Sequence, residues 1–128
     1  MNTYSANLVR NYQENAVYTA SPVKLIVLLY EGAIRSLRLA ERHFAEGKLE
    51  RARSEILQAE KILLELINTL NFAQGGDIAK NLFALYQFIL RQCASLSEEN
   101  TPEMIPRLVM LLEGLKEAWQ ELAKNAAH

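Results

Sequence analysis

The sequence predicts an all-α protein, an antiparallel up-down four-helix bundle preceded by a short N-terminal helical cap segment. Three observations lead there. Breaks at Gly47, at Gly75-Gly76 and at Asn100-Thr101-Pro102 divide the chain into segments without internal punctuation of comparable strength. Apolar residues within the segments recur at spacings of three and four, the period of a helix face. Sustained period-two alternation, the mark of a strand, is missing. Each segment has roughly 22 to 26 residues, so at ~1.5 Å per residue the helices would be about 33 to 39 Å long. Matched lengths and short connections suit antiparallel neighbours.

The first segment begins with Ser21 placed to cap and Pro22 at the first helical position. It then runs Leu25-Ile26-Val27-Leu28-Leu29-Tyr30 without a polar residue. Such a run covers every side of a helix, so part of it must be hidden by something other than the simple core. The second segment carries a clean seam at Leu49, Ala52, Ile56, Ala59, Leu63, Leu66, Leu70 and Ala73. The third has two seams side by side, Ile78, Leu82, Leu85 and Ile89 beside Ala79, Phe83, Tyr86 and Leu90. Two readings of these broad stripes stay open: packing against two neighbouring helices, or a groove for another chain. The fourth repeats a single seam at Ile105, Leu108, Leu112, Leu115, Trp119 and Leu122, and Pro106 predicts an irregular first turn. Residues 1–18 form the cap segment, with Tyr4, Leu8 and Tyr12 four apart on one narrow face, and residues 19–125 form the bundle. So short an element is marginal alone and must lean on the bundle.

Composition narrows the function. The 128 residues have a formal net charge of −1 and no basic block, which argues against a phosphate-backbone partner. One cysteine, Cys93, cannot pair internally and fits a reducing compartment. No apolar stretch has the length of a signal peptide or membrane span, so a cytoplasmic protein without a membrane span is expected.

Chemistry finds little to work with. His43 and His128 are the only histidines. The Glu-x-x-His pattern of di-iron bundles is absent, since Glu41 is two residues from His43 and position 40 is alanine. Phosphotransfer bundles share a His-x-x-Lys-Gly pattern, but here His43-Phe44-Ala45-Glu46-Gly47 places a carboxylate where the cation should be. Cys93 has no nearby histidine or cation in sequence and reads as a small buried hydrophobe. Gly75-Gly76 lacks the spacing and the lysine of a phosphate loop. No catalytic residue, metal ligand or cofactor is assigned.

The ordered set Tyr12-Gln13, Ala16-Val17-Tyr18-Thr19-Ala20-Ser21-Pro22, Leu25-Ile26 and Leu29-Tyr30-Glu31-Gly32-Ala33-Ile34 closely resembles the flagellar secretion chaperones of the FliS family. The resemblance continues through Gly75-Gly76-Asp77-Ile78-Ala79-Lys80-Asn81-Leu82, Leu85-Tyr86 and Glu117-Ala118-Trp119, nearly the whole chain. It implies a non-enzymatic cytosolic chaperone of bacterial flagellum biogenesis. Such a protein binds the disordered C-terminal segment of flagellin, prevents premature polymerisation and delivers it to the flagellar type III export gate. The expected partners are flagellin and an export gate component, with no cofactor; a weak homodimer stays open. The flagellin-binding residues expected are Tyr12, Val17, Pro22, Leu25, Leu29, Gly32, Ala33, Ile78, Leu82, Phe83 and Tyr86. Gly32 costs about 1 kcal/mol within a helix against alanine. That cost fits either the close approach of a client backbone or a tight helix crossing inside the bundle, for instance against Gly114.

Overall fold

The computed structural model describes residues 23–126, so the cap segment with Tyr4, Leu8 and Tyr12, the capping pair Ser21-Pro22, and His128 lie outside the described residues. The described chain is α1 (Val23–Ala45), α2 (Leu49–Asn68), α3 (Phe72–Glu99), a 3₁₀ turn (Pro102–Met104) and α4 (Ile105–Ala126). Four helices and no β-sheet are present among the described residues, as the periodicity predicts.

Local chemistry sets the boundaries. Gly47, at φ +74°, closes α1 in a Schellman arrangement. The Lys48 N–H donates to the His43 carbonyl at 2.8 Å and the Gly47 N–H to that of Phe44 at 3.0 Å. Asn100 adopts the left-handed conformation at the end of α3, donating its N–H to the Leu96 carbonyl at 2.9 Å. Pro106 is the second residue of α4, where its missing N–H removes no helical bond; the irregular turn lies just before it, at Pro102–Met104.

The second helix departs from expectation by ending at Asn68, before Leu70 and Ala73 of its seam. The Thr69 hydroxyl donates to the Leu66 carbonyl at 2.8 Å. Two residues on, the Asn71 side chain accepts the Gln74 N–H at 3.1 Å and starts a new turn. That turn ends at Gly76, whose φ of +55° and ψ of −130° suit only glycine, and the long part of α3 follows.

Backbones run closest between α1 and α2, next between α1 and α4, then between α2 and α3; no comparable approach links α3 to α4. Ion pairs from Arg38 to Glu113 and from Glu31 to Lys116 run antiparallel between α1 and α4. Arg53, early in α2, bonds Ser97 and Asn100 at the end of α3. The bundle is therefore antiparallel, and α3 and α4 are the successive helices whose backbones approach least.

The core is one cluster. It takes Ile26, Tyr30, Ala33 and Leu37 from α1 and Ile56, Ala59, Leu63 and Leu66 from α2, with Ile105, Leu108, Leu112 and Trp119 from α4. A fully buried Leu or Ile contributes roughly 1.5–3 kcal/mol, so these seams supply most of the driving force. Neither predicted seam of α3 is the core line as written. The buried row is Ala79, Leu82, Tyr86, Ile89, Cys93 and Leu96, which crosses from one stripe to the other, while Ile78 is 59% exposed. At the seam ends Leu49, Ala73 and Leu122 are exposed.

Candidate functional site

The apolar run of α1 divides by face. Ile26 and Tyr30 are fully buried, Val27 and Leu29 half-buried, and Leu25 and Leu28 remain 45% and 54% exposed. Val23, Val27 and Leu28 also line a shallow groove against Gln120 and Lys124 of α4.

A larger groove follows from the missing α3–α4 approach. It encloses about 570 Å³ and is lined by Phe88 of α3, Met104 of the 3₁₀ turn, and Leu108, Met110, Leu111 and Leu115 of α4. Arg107 is the charged residue on its wall. Gly114 sits at its rim, with nothing in the position a Cβ would occupy. Met110 is 73% exposed, the most of any large apolar side chain described. A broad, open groove with methionine on its edge can accept the apolar stripe of a helix and adapt to its shape.

The residues assigned from sequence do not form one surface. Leu25 and Ile78 are exposed, whereas Leu29, Gly32 and Phe83 are half-buried, the last with its ring edge-on to Phe72. Ala33 and Tyr86 have no exposed surface and Leu82 has 8%, so these three are placed in the core, where helix packing leaves them nothing to present. Tyr12, Val17 and Pro22 lie outside the described residues. A Cβ on Gly32 would stand 3.1 Å from Ile62 Cδ1 of α2. Its opposite number is Ile62, not Gly114. The groove residues Phe88, Met104, Met110 and Leu111 were not singled out by sequence. The available signal was a second row in the last segment, Met104, Leu111 and Ala118, seven apart and outside its core seam.

Reactive groups stay inert. Burial pushes the Cys93 thiol up to about 12, with the Glu60 carboxylate adding to the effect. Glu46 is engaged by Lys48 at 3.1 Å, and that hydrogen bond holds its carboxyl below the usual range. His43 is half-buried, with Nδ1 enclosed and without a hydrogen-bond partner among the described residues. No group of three potential metal ligands occurs among the described residues. No described helix is long and apolar enough to cross a membrane.

The family model for "Flagellar protein FliS" matches residues 5–126. The chain belongs to the FliS family. It is 33% identical over 120 residues to the flagellar secretion chaperone FliS of Campylobacter jejuni, covering 93% of this chain and 94% of that one. Identity to the FliS chaperone of Salmonella typhimurium is 29% over 129 residues, covering 97% and 96% of the two chains. A solved structure described as a flagellar chaperone from bacteria superposes with a TM-score of 0.78 at 26% identity, over 84% of this chain and 87% of its own. FliS is a family of chaperones and not of enzymes. This FliS-family chain is thus a flagellar export chaperone with an all-α bundle fold.

Proposed function

We propose that this chaperone binds the C-terminal segment of flagellin in the cytoplasm, keeps it from polymerising early, and passes it to the flagellar type III export gate. The observation that carries the reading is the open α3–α4 groove, an apolar trough with Met110 exposed in a member of a secretion-chaperone family. The client lays an amphipathic helix into this trough, its apolar residues at i, i+3, i+4 and i+7 meeting Phe88, Leu111 and Leu115. Leu25, Leu28 and Ile78 extend the apolar contact to other parts of the bundle, as a wrapping chain requires. Burying on the order of 2,000 Å² would give tens of kcal/mol gross at ~25 cal/mol per Å². Ordering the client removes much of that, leaving affinity to a few anchors.

Calorimetry with full-length flagellin and with flagellin lacking its C-terminal segment tests the reading. Tight binding of the first, with a large negative heat-capacity change, and loss of binding by the second are expected. Equal affinity for both would sink it.

A further inference from the structure

Positive charge gathers on the outer side of α1. Arg35, Arg38 and Arg42 follow one another at spacings of three and four, and Lys116 of α4 lines the same groove, which encloses about 380 Å³. Ile34 and Leu39 supply an apolar lining between the cations. Two carboxylates stand nearby. Glu113 takes both Arg38, at 3.2 Å, and Lys116, at 3.3 Å, while Glu31 lies 4.0 Å from Lys116. Neither Arg35 nor Arg42 has an ion pair among the described residues, and both are exposed. Arg42 sits in the last turn of α1, where the helix dipole favours a cation. That effect fades within one turn, and Arg35 is ten residues before Ala45, the end of the helix. The helix alone does not account for it.

We propose that this α1–α4 groove docks an acidic helical segment of a partner protein, distinct from the client held at the α3–α4 groove. Arg35 and Arg42 are seven residues apart, or ~10.5 Å along the axis at ~1.5 Å per residue. Two carboxylates seven residues apart on a partner helix have the same separation. Each would meet one guanidinium, whose planar fork suits a carboxylate bidentately. An apolar side chain between them would rest on Leu39, which lies between the two arginines along α1. Charge complementarity selects a protein over a nucleic acid: Glu31 lines the groove and Glu113 pairs with its Arg38 and Lys116, so an evenly charged phosphate backbone would be pressed against carboxylates, whereas a helix carries its charges only where the arginines are.

The test uses the full chain, ¹⁵N-labelled, titrated with a synthetic helical peptide of about 16 residues. The peptide carries two Glu seven apart with Leu between, and its control has Gln for both Glu. Shifts are expected in the amides of residues 31–42 and 113–117 and in the Arg35 and Arg42 Nε–H signals. The Gln control should give none, and affinity should fall at least about tenfold between roughly 50 and 300 mM salt. The double variant R35Q/R42Q should lose the peptide and keep the flagellin C-terminal segment. Equal shifts with the control peptide, or undiminished binding by the double variant, would overturn the proposal. So would tighter binding of a single-stranded oligonucleotide or of phosphatidylserine vesicles. Failure of flagellin to bind the unmodified chain would instead strike the client reading alone.

Discussion

The hydroxyls of Tyr30 and Tyr86 meet at 2.5 Å inside the core, joining two residues 56 apart in the chain. Their helices, α1 and α3, are not close backbone neighbours, so the two side chains reach across the bundle. The rings stand 6.4 Å apart, inclined at 52°. A tyrosine pair in this position gives the apolar core a polar contact that helix packing alone would not specify.

Replacing either tyrosine with phenylalanine should lower stability by about 1–2 kcal/mol, since each change removes a hydroxyl from a buried hydrogen bond. The double variant should cost less than the sum, because the second change removes a group already deprived of this partner. Urea unfolding of the four proteins would measure the coupling. Strict additivity would show that the two hydroxyls act independently.

Gly32→Ala should be tolerated and stabilise by up to about 1 kcal/mol through helix propensity. The tight contact is with Ile62 Cδ1, the far end of a half-buried side chain that can rotate away. Gly32→Leu should destabilise by roughly 1–3 kcal/mol by forcing α1 from α2. Flagellin affinity should be unchanged in Gly32→Ala. A selective loss of binding at full stability would return Gly32 to the client surface.

Met110→Glu probes the α3–α4 groove. Because Met110 is 73% exposed, its stability should stay within about 0.5 kcal/mol of the parent. Flagellin affinity should fall about tenfold, equivalent to ~1.4 kcal/mol. Calorimetry and urea unfolding on the same preparation separate the two effects.

The Cys93 thiol should resist alkylation at pH 8 in the folded protein. Burial pushes it up to about 12, so little thiolate is present at that pH. Iodoacetamide labelling followed by mass spectrometry should show slow modification without urea and rapid modification with it. Fast labelling of the native chain would place the thiol within reach of solvent.

Glu113 gives a pH dependence of known sign. Hydrogen bonds from Arg38 and then Lys116 hold its carboxyl below the ordinary value. Its contribution to stability is therefore present above the unfolded carboxylate value and is lost as pH falls through the lower folded one. A melting-temperature difference between the parent and Glu113→Gln should exist near neutrality and close in strong acid. A difference that widens on acidification would contradict the assignment.

Boundaries controlled by backbone conformation were legible in the sequence. Gly47 and Asn100 occupy left-handed positions where the chain must turn, whereas the irregular turn expected from Pro106 lies ahead of α4, at Pro102–Met104. The end of α2 was not legible, because Thr69 and Asn71 act through single side-chain hydrogen bonds while the apolar spacing continues to Ala73. Periodicity identified the apolar stripes of α3 but not the line through them that would be buried, since that depends on which helix lies alongside. The same limit hid the groove. Met110 and Leu111 look like ordinary flanking residues until the groove they line with Phe88 of α3 is seen. Arg35, Arg38 and Arg42 were dispersed in a chain of net charge −1 and form a cluster only once wound on one helix.

The unequal spacing of the helices also bears on how the molecule breathes. Helix α1 is clasped by α2 and α4, whereas among the described helices α3 has an extensive backbone neighbour only in α2. The core side chains of α3 hold it in place, but loosening it disturbs fewer main-chain contacts than loosening α1. Gly76 and Asn100 provide soft joints at both ends of its long part. Excursions that swing α3 outward should therefore occur at lower free energy than global unfolding, as a sub-global opening unit. The scaffold around α1 would persist while the trough beside α3 widens and narrows, so one rigid frame could admit client helices of different girth.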